Sequence, residues 1–190
     1  MKLIQRHGYI EFLRRNRERS IIKVVSGIRR CGKSTLFRLF KDELLAEGVK
    51  PEQIISINFE ELEYEPLREY HRLYQYILNQ MQPNQMNYIF LDEIQHVDQF
   101  HRVVDSLFVK ENTDIYITGS NAYFMSSDIA TLLTGRYVEI QMLPLSFAEF
   151  YYSKYEEQQY SLIPAYEAYL RESSFPYTQQ LGGEDFDIQE

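Results

Sequence analysis

A glycine-rich turn between two hydrophobic segments constrains this chain more than any other feature. The segment before the turn is rich in β-branched residues and predicts a strand over 20–26. The segment after it carries apolar residues at helical spacing and predicts a helix over 33–47. The turn matches the pattern G-x-x-x-x-G-K-[ST] without a mismatch, through Gly27, Gly32, Lys33 and Ser34. A phosphate-binding loop of this kind needs a strand before it and a helix after it, and the sequence predicts both.

The groups in this turn suit a triphosphate bound with Mg²⁺. Glycine lets the backbone turn tightly, so that successive N–H groups can point at phosphate oxygens. The positive end of the following helix adds to the same anion site. We expect the ammonium of Lys33 to reach the β- and γ-phosphates and the hydroxyl of Ser34 to hold Mg²⁺. The predicted nucleotide contacts are the residues of the turn and of the helix start: Gly27, Ile28, Arg29, Arg30, Cys31, Gly32, Lys33, Ser34 and Thr35.

Two carboxylates end a second hydrophobic strand, predicted over 87–93. In an open parallel sheet, ligands lie outside the carboxyl ends of the strands, so this pair should lie beside the glycine-rich turn. We expect Asp92 to orient Mg²⁺ and its waters. Glu93 is expected to be the general base that accepts a proton from an attacking water. Taken alone, such a pair is more often a solvated strand end, but the preceding phosphate-binding pattern favours the catalytic interpretation.

A third buried strand, predicted over 114–121, also ends in polar residues. Ser120 or Asn121 could hydrogen-bond the γ-phosphate or the attacking water. Asn121 is favoured as this sensor, because its amide both donates and accepts. The alternative is a cap for a following helix, which suits Ser120 nearly as well.

Arg136 is the only Lys or Arg between Glu111 and Ser153, so it is not part of a general basic surface. One interpretation is catalytic: its guanidinium stabilises the charge on the transferring phosphoryl group, in cis or from a neighbouring subunit. The other is a surface arginine that follows a helix ending in glycine.

The motifs together resemble those of the AAA+ branch of the P-loop NTPases. More narrowly, they are similar to prokaryotic ATPases that have an N-terminal AAA+ module and a C-terminal domain of poorly defined function. The resemblance covers about residues 20 to 150, and its last segment is the most specific to these ATPases. The segments that carry it are 27–36, 88–95, 118–121, 133–137 and 144–150.

The resemblance implies a role for each site residue. Lys33 and Ser34 would contact phosphate and Mg²⁺, and Asp92 and Glu93 would be the Walker-B pair. The resemblance also makes Asn121 the sensor and Arg136 the candidate arginine finger. It further implies the strand order 5-1-4-3-2, which the residue pattern does not reveal.

The alternation of predicted strands and helices indicates an α/β fold with a doubly wound, parallel, five-stranded sheet and flanking helices. The remaining predicted strands cover 53–59 and 137–142, and the remaining helices cover 5–18, 67–81, 98–110 and 126–134. From Ser146 onward the sequence predicts helices and then a linker or tail at 182–187. The expected parts are a basic N-terminal helix (1–19), a P-loop ATPase domain (20–145) and a helical extension with a tail (146–190). We expect the extension to lead into a domain absent from this chain.

Charge is distributed unevenly along the chain. Residues 1–33 hold 10 of the 20 Lys and Arg and only two acidic residues, a net charge of +8, whereas the rest carries −16. The basic segment 12–19 could bind nucleic acid, but a solvated helix face is favoured. The acidic remainder argues against extensive DNA binding.

The chain contains no apolar run near the ~20 residues that span a bilayer. Its N-terminus lacks the apolar core of a signal peptide, so we expect no membrane association.

Cys31 is the single cysteine, which fits the reducing cytoplasm. The helix N-terminus beside it could lower its pKa and make it redox-sensitive, but a tolerant position is favoured.

These observations predict a Mg²⁺-dependent ATPase whose hydrolysis drives conformational change in a partner or adjoining domain. A slow nucleotide-gated switch with little turnover is the alternative, and turnover rate separates the two. A small-molecule phosphotransferase is less favoured, because such kinases use a basic lid and Arg136 is a single cation. The expected partners are ATP, a second copy of the chain, and an unidentified protein or C-terminal domain.

Overall fold

The computed structural model describes residues 4, 6–120, 133–155, 161–172 and 174–176. Its helices are α1 (His7–Asn16), α2 (Lys33–Ala46), α3 (Tyr70–Gln80), α4 (Phe100–Phe108), α5 (Phe147–Tyr155) and α6 (Leu162–Arg171). Its strands are β1 (Ile22–Gly27), β2 (Ile54–Asn58), β3 (Asn87–Asp92), β4 (Thr113–Gly119) and β5 (Tyr137–Met142). Short 3₁₀ helices cover Pro51–Gln53, Leu62–Arg68 and Ile94–His96.

The five strands form one parallel sheet in the order β2-β3-β4-β1-β5. This order, read from the other edge, is the one that the family resemblance implies, and the predicted parallel α/β sheet is confirmed. β1 lies between β4 and β5, with Gly27 opposite Met142. Because the strands are parallel, the carboxyl ends of β1, β3 and β4 lie together at one end of the sheet, where ligands bind in open α/β folds.

Helices cover both faces of the sheet, as the doubly wound prediction requires. On one face, α3 and α4 pack in the same core as Ile89 and Leu91 of β3. On the other face, α1 and α2 pack in the same core as Tyr88 and Phe90 of that strand. Successive strand residues point to opposite faces, so a strand buried on both sides reads as a continuous apolar run.

The basic N-terminal segment is anchored on α2. Ile10 and Leu13 of α1 are buried in the core that α2 shares. Three arginines of the segment pair with nearby carboxylates: Arg14 with Glu43, Arg15 with Glu11, and Arg17 with Glu47. This pairing favours the solvated helix face over a nucleic-acid interface.

The helix predicted over 67–81 begins later than expected, at Tyr70. The carboxylate of Glu69 caps it by accepting N–H groups of its first turn. The residues before the cap include the 3₁₀ helix Leu62–Arg68 with Pro66 inside it. Proline cannot supply the N–H that an α-helix needs in its interior, so the regular helix starts after it.

Among the described residues after β5, the regular elements are the helices α5 and α6, as the predicted short helical segment requires. The predicted helix over 126–134, apart from its last two positions, and the predicted tail at 182–187 lie outside the described residues. Over the part of the chain that the structure covers, each helix is too short or too polar to cross a membrane.

Candidate nucleotide-binding site

The glycine-rich turn joins the end of β1 to the start of α2, as the sequence predicts. Gly27 has a φ of +151° and Gly32 a φ of +105°. A Cβ atom on Gly27 would lie 2.2 Å from the carbonyl oxygen of Met142 on the neighbouring strand. Glycine is therefore required at position 27 by a close backbone approach as well as by its dihedral angle. Arg30, between the two glycines, also has a positive φ, of 67°.

A cavity of about 600 Å³ lies above this turn. It opens where α2 begins, so the helix points its positive end toward the cavity. Most of the predicted nucleotide contacts line it, and Glu93 faces them. The lining residues are Arg29, Arg30, Gly32, Lys33, Ser34, Thr35, Arg38, Glu60, Glu93 and Pro176.

Lys33 lies within the turn, almost fully buried. Its ammonium donates to the carbonyl oxygens of Gly27 at 3.0 Å and Ile28 at 3.2 Å. It also lies 3.2 Å from a carboxylate oxygen of Glu93. The structure thus brings together the two residues that the sequence assigned to phosphate binding and to proton transfer, which are sixty positions apart.

Glu93 adopts a left-handed backbone conformation, with a φ of 55°. Its carboxylate accepts hydrogen bonds from Ser120 and from Gln95, each at 2.5 Å. Burial alone would raise the pKa of Glu93, but these hydrogen bonds and the ammonium of Lys33 together hold that pKa below its usual range. A non-glycine residue held in such a conformation stores strain, which is common at functional sites.

Asp92 lies at the end of β3 and bonds to two hydroxyl groups. It accepts hydrogen bonds from Ser34 of α2 and from Thr118 of β4. Burial raises the pKa of Asp92 above its usual value, and these two hydrogen bonds oppose the rise. The hydroxyl and the carboxylate predicted to hold Mg²⁺ therefore lie within one hydrogen bond of each other.

A second cavity of about 180 Å³ lies beside this pair. Ser34 and Asp92 line it, together with Asn58 and Glu61 of the β2 end. All four residues offer oxygen atoms, the ligands that Mg²⁺ prefers. The chemistry of the donor set fits Mg²⁺, which in phosphate sites needs few protein ligands because phosphate and water supply the rest.

Two contributors to the site were missed from the sequence. Thr118 donates to Asp92, and its oxygen also accepts the backbone N–H of Glu93 at 2.9 Å. Gln95 bonds to Glu93 and approaches Ser120 at 3.4 Å. Both residues lie in segments that carry the family resemblance, 118–121 and 88–95, but the resemblance assigns a role to neither.

The two sensor candidates have different outcomes. Asn121, the favoured candidate from the sequence, lies outside the described residues. Ser120 donates to Glu93. The helix-capping interpretation of Ser120 concerns residues that the structure does not describe. The sensor assignment of Asn121 stays a prediction.

Arg136 lies at the opposite end of the sheet from the turn. It precedes β5, whose first residue pairs with the start of β1, whereas Gly27 pairs with the last residue of β5. Six strand residues separate these ends by about 16 Å, from a rise near 3.3 Å per residue. The guanidinium pairs with Asp105 of α4 and lies over the ring of Phe108. The structure does not bring Arg136 to the phosphate loop of its own chain.

The thiol of Cys31 is buried within the turn. Burial raises its pKa, against the opposing effect of the nearby cations Lys33 and Arg6. The redox-sensing interpretation required a lowered pKa and an accessible thiol. The buried thiol and its raised pKa contradict that interpretation, whereas the tolerance of position 31 to substitution stays a prediction.

Solved structures with the same fold include P-loop ATPases. The Walker-type ATPase PABY2304 of Pyrococcus abyssi has a TM-score of 0.59 at 18% identity, over 92% of this chain and 65% of that chain. DnaA of Aquifex aeolicus, bound to AMPPCP, has a TM-score of 0.57 at 9% identity, over 90% of this chain and 56% of that chain. At these identities the likeness concerns the fold.

Sequence relatives are found in a bacterium and an archaeon. An uncharacterised protein of Haemophilus influenzae is 41% identical over 176 residues, which are 92% of this chain and 44% of the relative. An uncharacterised protein of Methanocaldococcus jannaschii is 37% identical over 134 residues, which are 68% of this chain and 28% of the relative. The chain thus spans less than half the length of each of these two relatives.

Residues 19–151 match the AAA domain. The match covers well over half of the sequence, and the chain therefore belongs to the AAA domain family and carries an AAA+ P-loop ATPase module.

Proposed function

We propose that the chain binds ATP with Mg²⁺ at the glycine-rich turn and hydrolyses it. Hydrolysis would drive a conformational change in a partner or an adjoining domain. The observation that carries this proposal is the convergence of Lys33 and Glu93 on one cavity above a helix N-terminus, with the hydroxyl of Ser120 bonded to the Glu93 carboxylate. A P-loop site that only binds phosphate does not need a carboxylate held beside its lysine. The AMPPCP-bound DnaA, a structural neighbour, supports a triphosphate as the ligand.

Binding would place the phosphates in the 600 Å³ cavity, against the turn and the first residues of α2. The ammonium of Lys33 would then exchange the carbonyl oxygens of Gly27 and Ile28 for phosphate oxygens. A short rotation of one side chain is enough for this exchange, because the lysine already lies in the turn.

Hydrolysis needs a water aligned with the γ-phosphorus and a base to accept its proton. Glu93 would accept that proton as the water oxygen bonds to phosphorus and the bond to the bridging oxygen of ADP breaks. Ser120, bonded to the carboxylate, would hold it in position. Asn121, which follows, is proposed as the sensor of the γ-phosphate.

Ser34 and Asp92 would hold Mg²⁺ at the edge of the cavity, as their oxygen atoms and mutual hydrogen bond suit. Bound there, the ion neutralises charge on the β- and γ-phosphates. Thr118 keeps the Asp92 carboxylate directed by donating to it.

A slow nucleotide-gated switch is the second candidate function. In the structure Glu93 accepts from Ser120 and Gln95 and faces Lys33, so its carboxylate must exchange partners before it can activate a water. This arrangement favours low turnover until a partner or a second copy changes it. Turnover per site, measured over a range of protein concentrations, separates the two functions.

Arg136 is proposed to act in trans. Since it lies at the far end of the sheet, it could reach only a nucleotide held by a neighbouring copy. This proposal requires a homo-oligomer and an exchange of its present partner, Asp105. We also propose a cytoplasmic location, where ATP and reduced thiols are available.

The test of the proposed function is ATP hydrolysis with Mg²⁺ by the wild-type chain and three variants. Lys33→Ala should weaken ATP binding by about tenfold or more, because a charge-assisted contact contributes about 1.5–3 kcal/mol. Glu93→Gln should retain binding and lose about 10²-fold in turnover. Glu111→Gln, an exposed glutamate, is the control and should leave both unchanged. Unaltered ATP affinity in folded Lys33→Ala protein would refute the binding site, and unaltered turnover in Glu93→Gln would refute its role as base.

A further inference from the structure

We propose that Arg6 and Glu149 form a clamp that positions the phosphate-binding turn, so that nucleotide binding depends on the docking of the helical extension. The inference rests on the proposed nucleotide function and adds two positioning residues to it. Neither residue touches the cavity above the turn, and they are 143 positions apart in the sequence.

All five N–H donors of the Arg6 guanidinium are engaged. Two of them bind the two carboxylate oxygens of Glu149, at 2.9 and 3.1 Å. The others bind the carbonyl oxygens of Cys31 at 3.2 Å, Leu143 at 2.6 Å and Pro144 at 3.2 Å. The side chain is only 5% exposed. One buried cation therefore joins the phosphate-binding turn, the segment after β5, and α5.

The carboxylate of Glu149 has a fixed position because it also builds the start of α5. It accepts the backbone N–H of Ser146 at 2.8 Å and the hydroxyl of Ser146 at 3.0 Å. In return, the Ser146 hydroxyl accepts the N–H of Glu149 at 3.3 Å. This is a capping box, in which the residue before a helix and its third residue satisfy each other. The clamp can close only when α5 has formed and docked.

α6 is tied to the same segment. The hydroxyl of Tyr169 donates to the carbonyl oxygen of Leu145 at 2.9 Å. The backbone N–H of Leu145 in turn binds the carbonyl oxygen of Ser174, beyond α6, at 2.7 Å. The described part of the extension is therefore connected through a few hydrogen bonds to the residues that Arg6 holds.

The contact with the Cys31 carbonyl explains how the clamp could affect phosphate binding. A peptide group is planar and trans, so a carbonyl held on one side directs the following N–H to the other side. The N–H that follows Cys31 belongs to Gly32, which lines the cavity. Both neighbours of Cys31 have positive φ angles, and the strained conformation of Arg30 persists only because surrounding contacts, such as that of Arg6, hold the turn. Arg6 thus sets the direction of an amide in the turn.

Nucleotide binding should in turn affect the docking of the extension. If docking of α5 strengthens nucleotide binding, then nucleotide must strengthen docking of α5 by the same factor. The structure therefore supplies a route by which ATP occupancy reaches the helical extension. The route uses one cation and one carboxylate, and both can be changed conservatively.

The experiment compares Arg6→Lys and Glu149→Gln with the wild-type chain. Lysine keeps the charge but cannot hold a carboxylate and three carbonyls, and glutamine keeps the shape without the charge. Each variant should bind a fluorescent ATP analogue about 5- to 20-fold more weakly, within the usual range of coupling between sites. The double variant should bind no more weakly than the worse single variant, because the two residues act as one unit.

Arg14→Lys and Glu43→Gln are the matched controls. That pair has the same two-pronged geometry, at 2.6 and 2.7 Å, and joins α1 to α2 without touching the turn. A clamp with a positioning role predicts unchanged affinity in these controls. If they weaken binding as much as Arg6→Lys does, a general loss of stability is responsible and the proposal is overturned.

A second measurement does not depend on nucleotide. Amide hydrogen exchange of peptides covering 28–36 should be faster in Glu149→Gln than in wild type, and unchanged in Glu43→Gln. If the wild-type chain binds no ATP, the proposed function fails while this exchange result still decides the clamp. Equal exchange in the turn of Glu149→Gln and wild type would overturn the clamp even if ATP binds and is hydrolysed.

Discussion

Replacing Thr118 with valine keeps the shape of a buried side chain and removes the hydroxyl that joins the two carboxylate residues of the site. That hydroxyl donates to the Asp92 carboxylate and accepts the backbone N–H of Glu93 at 2.9 Å. Thr118 is fully buried, so water cannot replace either hydrogen bond. The substitution leaves one carboxylate oxygen and one N–H without their present partner.

The expected cost follows from these two groups. A hydrogen bond to a charged group contributes about 1.5–3 kcal/mol, and a buried donor left unpaired costs about 1–3 kcal/mol. Since the two effects share one site and are not fully additive, we expect Thr118→Val to lower the free energy of unfolding by about 3 kcal/mol. For a chain of this size that corresponds to a fall in Tm of about 6–12 °C.

Thr118→Ser is the matched control, because serine keeps the hydroxyl and loses only a methyl group. Its cost should be about 1 kcal/mol, the value for one buried methyl group. Turnover should fall about tenfold or more in the valine variant, since Glu93 loses the bond that holds its strained backbone, and should change little in the serine variant. The assays are urea denaturation and ATP hydrolysis. Equal stability and equal turnover in the two variants would refute the assigned role of the hydroxyl.

Three further predictions concern other parts of the molecule. Gly27→Ala should lower stability by about 2 kcal/mol or more and abolish measurable ATP binding, because its Cβ would lie 2.2 Å from a carbonyl oxygen; calorimetry and ligand titration check this. Asp114→Ala should lower the free energy of unfolding, measured by urea denaturation, by about 3–5 kcal/mol, because it leaves Lys23 buried without its carboxylate. The double variant Asp114→Leu and Lys23→Met should lose much less, because neither charge is then left unpaired. Burial favours a higher pKa for Glu149, but the hydrogen bonds and charge of Arg6 hold that pKa below its usual range. The carboxylate therefore stabilises the fold at pH values above the unfolded pKa of about 4.3. This stabilisation is lost as the pH falls through the lower pKa of the folded protein. The difference in Tm between wild type and Glu149→Gln should therefore shrink between pH 7 and pH 3, and a constant difference would contradict the ion pair.

The sequence alone determined the elements on which the site depends. The spacing of Gly27, Gly32, Lys33 and Ser34 is local, and a phosphate-binding turn needs those residue types within a few positions. The strands and helices around it were predicted from periodicity, and their observed bounds differ by only a few residues. Asp92 and Glu93 could be placed beside the turn, because the carboxyl ends of parallel strands share one edge.

Only the tertiary structure decided which distant residues complete the site. β4 lies between β3 and β1, so Thr118 and Ser120 come to lie against Asp92 and Glu93. The pattern of apolar residues is the same whatever the order of the strands, so it could not place them. The resemblance to a known family implied the strand order, and the structure confirms it.

Local sequence patterns also could not predict the contacts of Arg6, Glu149 and Arg136. The first two meet across most of the length of the chain, and no local pattern relates an arginine before α1 to a carboxylate in α5. Arg136 was a reasonable catalytic candidate from its isolation in the sequence, yet the direction of β5 carries it away from its own turn. Local residue types determine what a segment can bind, whereas the packing of the sheet determines which segments share a site.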